Sequence, residues 1–179
     1  MASIYMLGDS HTQALGPRLA RSLSDHDFTY EAFPGHSTER AWSKAKLGSD
    51  RDVIVLALGG NDFGNRGSTR RNLVRFLRAR SPNAKILWFG PAHAVEPNVG
   101  VRHHLQANDQ RIQMPQLGVK WHDSRPWTKR GHRDDGVHFT GSAYTKWADK
   151  IASPVRHAAD AVARDPGLTA IGVVATALA

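Results

Sequence analysis

The order of strand-like and helix-like segments predicts an α/β fold: a three-layer α/β/α sandwich of the flavodoxin-like kind, on a parallel sheet of about five strands. Three observations carry this. Asp52–Leu58 is an apolar run without polar alternation, the pattern of a strand buried on both faces. Between the strand-like runs lie segments with apolar residues at helical spacing, such as Leu15, Leu19 and Leu23, or Leu73, Phe76 and Leu77. Four strand ends carry Gly-rich or polar sequences: Gly8–Ser10, Pro34–Ser37, Gly59–Asp62 and Gly90–His93. In a parallel sheet such ends line one crevice, where ligands bind.

Taken in order, Ser3–Leu7 is a short buried strand. A helix is expected from about Thr12 to Ser24, with Pro17 at odds with its interior. Phe28–Phe33 alternates and forms the second strand. Pro34-Gly35-His36-Ser37 turns the chain, and Ser37 opens a helix reaching about Lys46. Asp52–Leu58 is the third strand and Thr69–Ala79 an amphipathic helix. Ala84–Phe89 is the fourth strand. Val95–Gly100 reads as a loop, Arg102–Met114 as a helix and Val119–His122 as a short fifth strand. Arg125–Gly136 is loop-like. Thr140 or Ser142 caps a last helix with Tyr144, Trp147, Ala148 and Ile151 on one face, and Pro154 breaks or kinks it before a second piece ending near Arg164.

A length of 179 residues suits one domain, here 1–165, followed by an apolar tail at 166–179. The absence of cysteine excludes disulfides, thiolate nucleophiles and Cys-ligated metal sites. A formal charge of +8 fits an anionic partner. The densest basic block, Arg66–Arg80, reads as the solvated face of a helix, and with no nucleic-acid motif beside it no specific nucleic-acid partner is expected. The first strand begins so near Met1 that no signal peptide fits before it. The expected location is cytoplasmic, or outside by a route that this chain does not encode. Leu168, Ile171, Val174 and Leu178 give residues 168–179 a helical apolar spacing too short to span a bilayer, suited to a membrane or partner contact.

Gly8-Asp9-Ser10, between a strand end and a helix start, suits an exposed nucleophile surrounded by backbone N–H groups. It equally suits a turn and helix N-cap. Asp134-Asp135-Gly136-Val137-His138 places a carboxylate three residues before an imidazole. Asp135 folded back onto Nδ1–H would fix the tautomer and leave Nε2 free for a serine proton. Asp134 is the rival carboxylate, at a spacing less suited to a tight turn. Gly35 and Gly60-Asn61-Asp62 close the two intervening strand ends.

Together Gly8-Asp9-Ser10, Gly35, Gly60-Asn61-Asp62 and Asp135-Gly136-Val137-His138 resemble, in order and on elements of the right type, the SGNH hydrolases, the GDSL-like esterase and lipase family. The resemblance implies a serine hydrolase without cofactor, with Ser10 as nucleophile, His138 as general base and Asp135 orienting it. It implies oxyanion donors at the Ser10 and Gly35 backbone N–H groups and the Asn61 side chain. His11 stands where the family signature has leucine, a version similar to that of members acting on acylated polysaccharides. His11, His36, Asp62 and His93 are expected to line the crevice and bind substrate. The three histidines lack paired spacing and an acidic third ligand, so no metal is expected. No apolar loop stands near these residues in sequence. Trp127 is available to stack on a sugar ring, whereas Trp88 and Trp121 are expected in the core. The expected function is serine-dependent removal of O-acetyl or other short acyl groups from a cell-wall or surface glycan. The alternatives are a lipid or thioester acyl hydrolase and, in another class, a non-catalytic glycan-binding module. The oligomeric state is left open.

Overall fold

A computed structural model describes residues 1–48, 50–64 and 66–164. Asn65 and the apolar stretch at 166–179 lie outside the described residues. Five strands form one parallel sheet: β1 Ser3–Gly8, β2 Asp27–Ala32, β3 Val53–Ala57, β4 Lys85–Phe89 and β5 Lys120–His122. Their order is β2-β1-β3-β4-β5, every neighbouring pair parallel. The order reverses between β1 and β3, and that reversal opens a crevice at the carboxyl edge. Register fixes what meets there. Gly8 pairs with Ala32 of β2 and Ala57 of β3, so the three chains leave the sheet level with one another.

Side chains alternate across each strand and feed two cores. Ile4, Met6, Val53 and Val55 face α1 (Ser10–Ser22) and α5 (Gly141–Arg164), packing with Leu15, Leu19, Trp147 and Ile151. Tyr5, Leu7, Ile54 and Leu56 face α2 (Thr38–Lys44), α3 (Gly67–Arg80) and α4 (Pro97–Gln116), packing with Ala41, Leu73, Leu77 and Met114. Each fully buried aliphatic side chain contributes about 1.5–3 kcal/mol. The edge strand β2 remains partly exposed, as its polar alternation requires.

Helix ends depart from the sequence expectation where capping chemistry is local but its consequence is not. α1 begins at Ser10, two residues early, because the Asp9 side chain accepts from the His11 N–H at 3.1 Å. Pro17 is accommodated within α1, since the carbonyl deprived of its partner belongs to exposed Gln13. α4 begins five residues early: Glu96 caps it through Val99 N–H at 2.6 Å, and Pro97 occupies the first turn, where a missing N–H costs nothing. Pro154 does not break α5. Lys150, one turn before it, is exposed, and buried Val155, Ala159 and Val162 continue the face begun by Trp147 and Ile151. Arg70 departs from the solvated basic face. It is fully buried, against Asp62, Gln106 and Asp109. Trp88 is buried, donating to the Leu58 carbonyl, and Trp121 packs at the edge of the same core. Trp127 does not stand free in a loop. It lies in a 3₁₀ turn, Arg125–Trp127, with its ring 6.3 Å from Phe89 and 6.4 Å from His122.

Candidate active site

Ser10 is the first residue of α1, delivered by the end of β1 into the crevice. Gly8 permits this close passage, since a Cβ there would overlap Thr12 and lie 2.9 Å from the Ala57 carbonyl oxygen. Ser10 Oγ lies 3.0 Å from His138 Nε2, and His138 Nδ1 lies 2.8 Å from Asp135 Oδ2. A carboxylate only accepts, so Nδ1 carries the proton and Nε2 is left to accept from the Ser10 hydroxyl. Asp135 Oδ1 also accepts from the N–H groups of Val137 at 2.9 Å and His138 at 2.8 Å. These bonds, with that from the imidazole, hold the Asp135 carboxyl well below the usual carboxylate range. Asp135, and not Asp134, therefore meets the imidazole.

The turn carrying this pair is fixed from both sides. His132 and Phe139 form an antiparallel bridge, and Arg133 N–H donates to the His138 carbonyl at 2.7 Å. Gly136 has φ +65°, and its carbonyl accepts from the N–H groups of Val95 and Glu96 just before α4. A Cβ on Gly136 would approach Glu96 N to 2.9 Å, so glycine is needed for this contact as well as for the left-handed turn.

Of the other predicted site residues, His11 takes a different place. It is buried behind His138, ring centroids 5.4 Å apart, among Phe139, Tyr144 and Trp147. Its Nδ1 pairs with the Tyr144 hydroxyl at 3.0 Å. Burial pulls its pKa down to about 3, so it is a neutral packing partner rather than a substrate contact. Asp9 is also buried, and burial pushes its carboxyl up to about 6.

The turn after β2 is drawn to the crevice by Phe33 N–H donating to the Gly8 carbonyl at 2.9 Å. Gly35 is exposed on it, and half-buried His36 pairs its Nδ1 with the Pro34 carbonyl at 3.0 Å. Asn61 Nδ2 donates to the His36 carbonyl at 3.3 Å, joining this turn to the end of β3. Asp62 does not face the crevice. It is fully buried, with both oxygens on Thr38. His93 does not line the cleft at Ser10. Its ring faces His132 at 5.8 Å in a separate cleft of about 290 Å³ beside α4, where burial and neighbouring His132 lower its pKa.

The cleft at Ser10 is open, about 350 Å³, lined by Ser10, Gln13, Ala14, Arg133, His138 and Tyr144. Sequence reasoning missed Arg133 and Tyr144, which only the tertiary fold brings there. It also missed Arg102 and His103 of α4. Arg102 Nε donates to the Gly60 carbonyl at 3.1 Å, and His103 Nδ1 reaches the Ala92 carbonyl at 2.8 Å. An apolar surface follows Asn61 after all. Phe63, Val101 and Leu105 are 60–66 % exposed and line a groove of about 520 Å³, with the Arg102 guanidinium 4.7 Å over the Phe63 ring. Position i, i+4 on α4 was a readable signal for Val101 and Leu105.

The family model of the GDSL-like lipases and acylhydrolases matches residues 6–146. The chain belongs to this family. Its fold is that of several solved members. A phospholipase A1 from Streptomyces albidoflavus superposes with a TM-score of 0.70 at 14 % identity, over 87 % of this chain and 100 % of that one. A carbohydrate acetylesterase family member from Sinorhizobium meliloti gives 0.65 at 17 % identity, over 89 % and 100 %. A carbohydrate esterase family 2 enzyme with its carbohydrate-binding domain, from Corynascus thermopiles (Myceliophthora fergusii), gives 0.66 at 16 % identity, over 88 % of this chain and 66 % of that one. No curated protein matches significantly in sequence. Membership in the family makes this GDSL-like protein a hydrolase of carboxylic esters.

Proposed function

We propose that this GDSL-like hydrolase is a serine esterase that removes O-acetyl or other short acyl groups from a carbohydrate, with Ser10, His138 and Asp135 as its triad. The hydrogen-bonded line from Ser10 Oγ through the imidazole to Asp135 carries the reading. Ser10 Oγ attacks the acyl carbon while its proton passes to His138 Nε2. Asp135 stabilises the imidazolium. The Ser10 and Gly35 N–H groups and the Asn61 amide receive the oxyanion. Asn61 spends one amide hydrogen on the His36 carbonyl and has the other for this task. Collapse expels the sugar alcohol, which takes the proton from Nε2 and leaves acyl-Ser10. Water then attacks, gives its proton to Nε2, and the acid departs as Ser10 Oγ recovers a proton.

The open cleft, with the Gln13 and Arg133 side chains to meet sugar hydroxyls, supports a glycan over a long acyl chain, as do the two carbohydrate-esterase neighbours. Arg133 at its rim favours an anionic glycan. A second reading, acyl hydrolysis of a lipid, is favoured by the exposed Phe63, Val101 and Leu105 groove and by the phospholipase neighbour. Fluorophosphonate labelling with peptide mapping tests the mechanism: modification at Ser10 is expected, and an unlabelled Ser10 refutes it. A p-nitrophenyl ester series from C2 to C12 tests the substrate. Acetate is expected to be cleaved best. A bound acyl chain gains about 0.8 kcal/mol per methylene, so a maximum at C8 or longer would instead establish the lipid reading.

A further inference from the structure

The side chain that ties the two oxyanion-bearing loops together is Asp62. Its Oδ1 accepts from the Thr38 N–H at 2.8 Å and its Oδ2 from the Thr38 hydroxyl at 2.9 Å. Arg70 Nη2 stands 3.5 Å from Oδ2, and all three side chains are buried. Arg70 is held in turn by Asp109 at 2.5 Å and by the Gln106 side-chain oxygen, so the cluster is anchored on α3 and α4. Asp62 directly follows Asn61, and Thr38 lies three residues beyond Gly35.

We propose that Asp62 is a positioning residue for ester cleavage: its carboxylate, with Arg70 as buried counter-ion, fixes the separation of the Gly35 and Asn61 donors. This rests on the serine-esterase reading above. Substrate cannot reach Asp62, so its influence passes through the backbone on either side. Oxyanion donors lower a barrier only where they are already aimed at the charge that develops, and small displacements are costly. The Asn61–His36 bond, at 3.3 Å, is a single and longer link between the two loops. Asp62 supplies two shorter bonds, both to the same residue, which suppress hinge motion as well as translation. The carboxylate is required, since an asparagine accepting from the Thr38 N–H would set its NH₂ beside Arg70 Nη2, donor against donor, and bring no charge to the guanidinium.

The test compares Asp62→Asn and Thr38→Val with wild type on p-nitrophenyl acetate and on the matching thionoester. Turnover is expressed per fluorophosphonate-titrated site, and melting temperature is recorded for each variant. Thionoesters place sulfur, a weak hydrogen-bond acceptor, where the oxyanion forms, so they draw little on the donors. For Asp62→Asn, kcat on the oxoester is expected to fall about 10- to 100-fold, the scale of an impaired oxyanion donor. KM should change less than about threefold, because the donors act in the transition state. The oxo/thiono rate ratio should fall with kcat. Thr38→Val should show the same pattern, about 3- to 10-fold, having lost one of the two bonds. If Asp62→Asn does not fold, Thr38→Val decides by the same readouts. A lowered melting temperature with unchanged kcat and unchanged oxo/thiono ratio overturns the proposal. Wild type that is not labelled at Ser10 overturns the parent reading as well. Labelling at Ser10 with full turnover in both variants overturns this inference alone.

Discussion

Replacing Asp9 by asparagine should make the protein more stable at neutral and alkaline pH, but not at pH 4. Asp9 caps α1 from a buried position, and burial raises its carboxyl from 3.8 to about 6. The folded state thus binds the proton more tightly than the unfolded chain does. Below about pH 4 both states carry it and nothing is lost. As pH rises through 6 the folded state must ionise a buried group, and a stabilising contribution disappears. A displacement of about two pH units corresponds to about 3 kcal/mol. The substituted asparagine would keep an oxygen for the His11 N–H and carry no charge at any pH. Asp9→Asn should therefore exceed wild type by up to about 3 kcal/mol at pH 8, or about 6–12 °C in Tm for a chain of this size. At pH 4 the two should match. The assay is urea or thermal unfolding of both proteins at pH 4, 6 and 8. Equal stability at pH 8, or an advantage that grows towards acid, refutes the reasoning.

Ser10→Ala and His138→Ala should each abolish nearly all esterase turnover, and the double variant should be scarcely worse than either; additive losses would show that the two do not act as a unit. Asn61→Ala should lower kcat by about a hundredfold or more with Tm nearly unchanged; the reverse pattern would make Asn61 only a turn residue. Asp135→Asn should slow the reaction strongly by presenting the wrong tautomer at Nε2, which the kcat of the folded variant reads directly. Arg70→Met should destabilise by about 3–5 kcal/mol, because it leaves the buried Asp62 carboxylate without its counter-ion, as equilibrium unfolding would show.

The three-layer fold was legible because its signals are local. The apolar run at Val53–Ala57 and the spacing of Leu15, Leu19 and Leu23 each lie within one element, and the structure keeps each in its layer. Three of the four Gly-rich or polar strand ends were equally legible, since parallel topology alone levels Gly8 with Ala32 and Ala57, whereas Gly90–His93 leads into a separate cleft. What escaped depends on partners distant in sequence. The burial of His11 is decided by Tyr144, 133 residues away. Arg70 looked like a surface charge and Asp62 like a crevice residue because the residues that close over them come from α2 and α4. Pro154 looked like a break because a prolyl residue's cost is local, whereas the compensating face of Val155, Ala159 and Val162 appears only once α5 is docked.

The Ser10–His138 contact spans 128 residues, and α5, which follows His138, packs directly against α1, which Ser10 begins. A ribosome making this chain emits the proposed nucleophile early and the proposed base late. Through most of synthesis Ser10 stands beside an unfinished sheet without His138, so on the proposed mechanism the nascent chain lacks its triad. On that mechanism reactivity arises only once the helix after His138 closes over Leu15 and Leu19. The same arrangement makes the molecule divisible. A fragment ending after β5, together with one bearing residues 124–164, would each be silent and regain turnover on association. That would make ester cleavage a reporter of when the two halves meet.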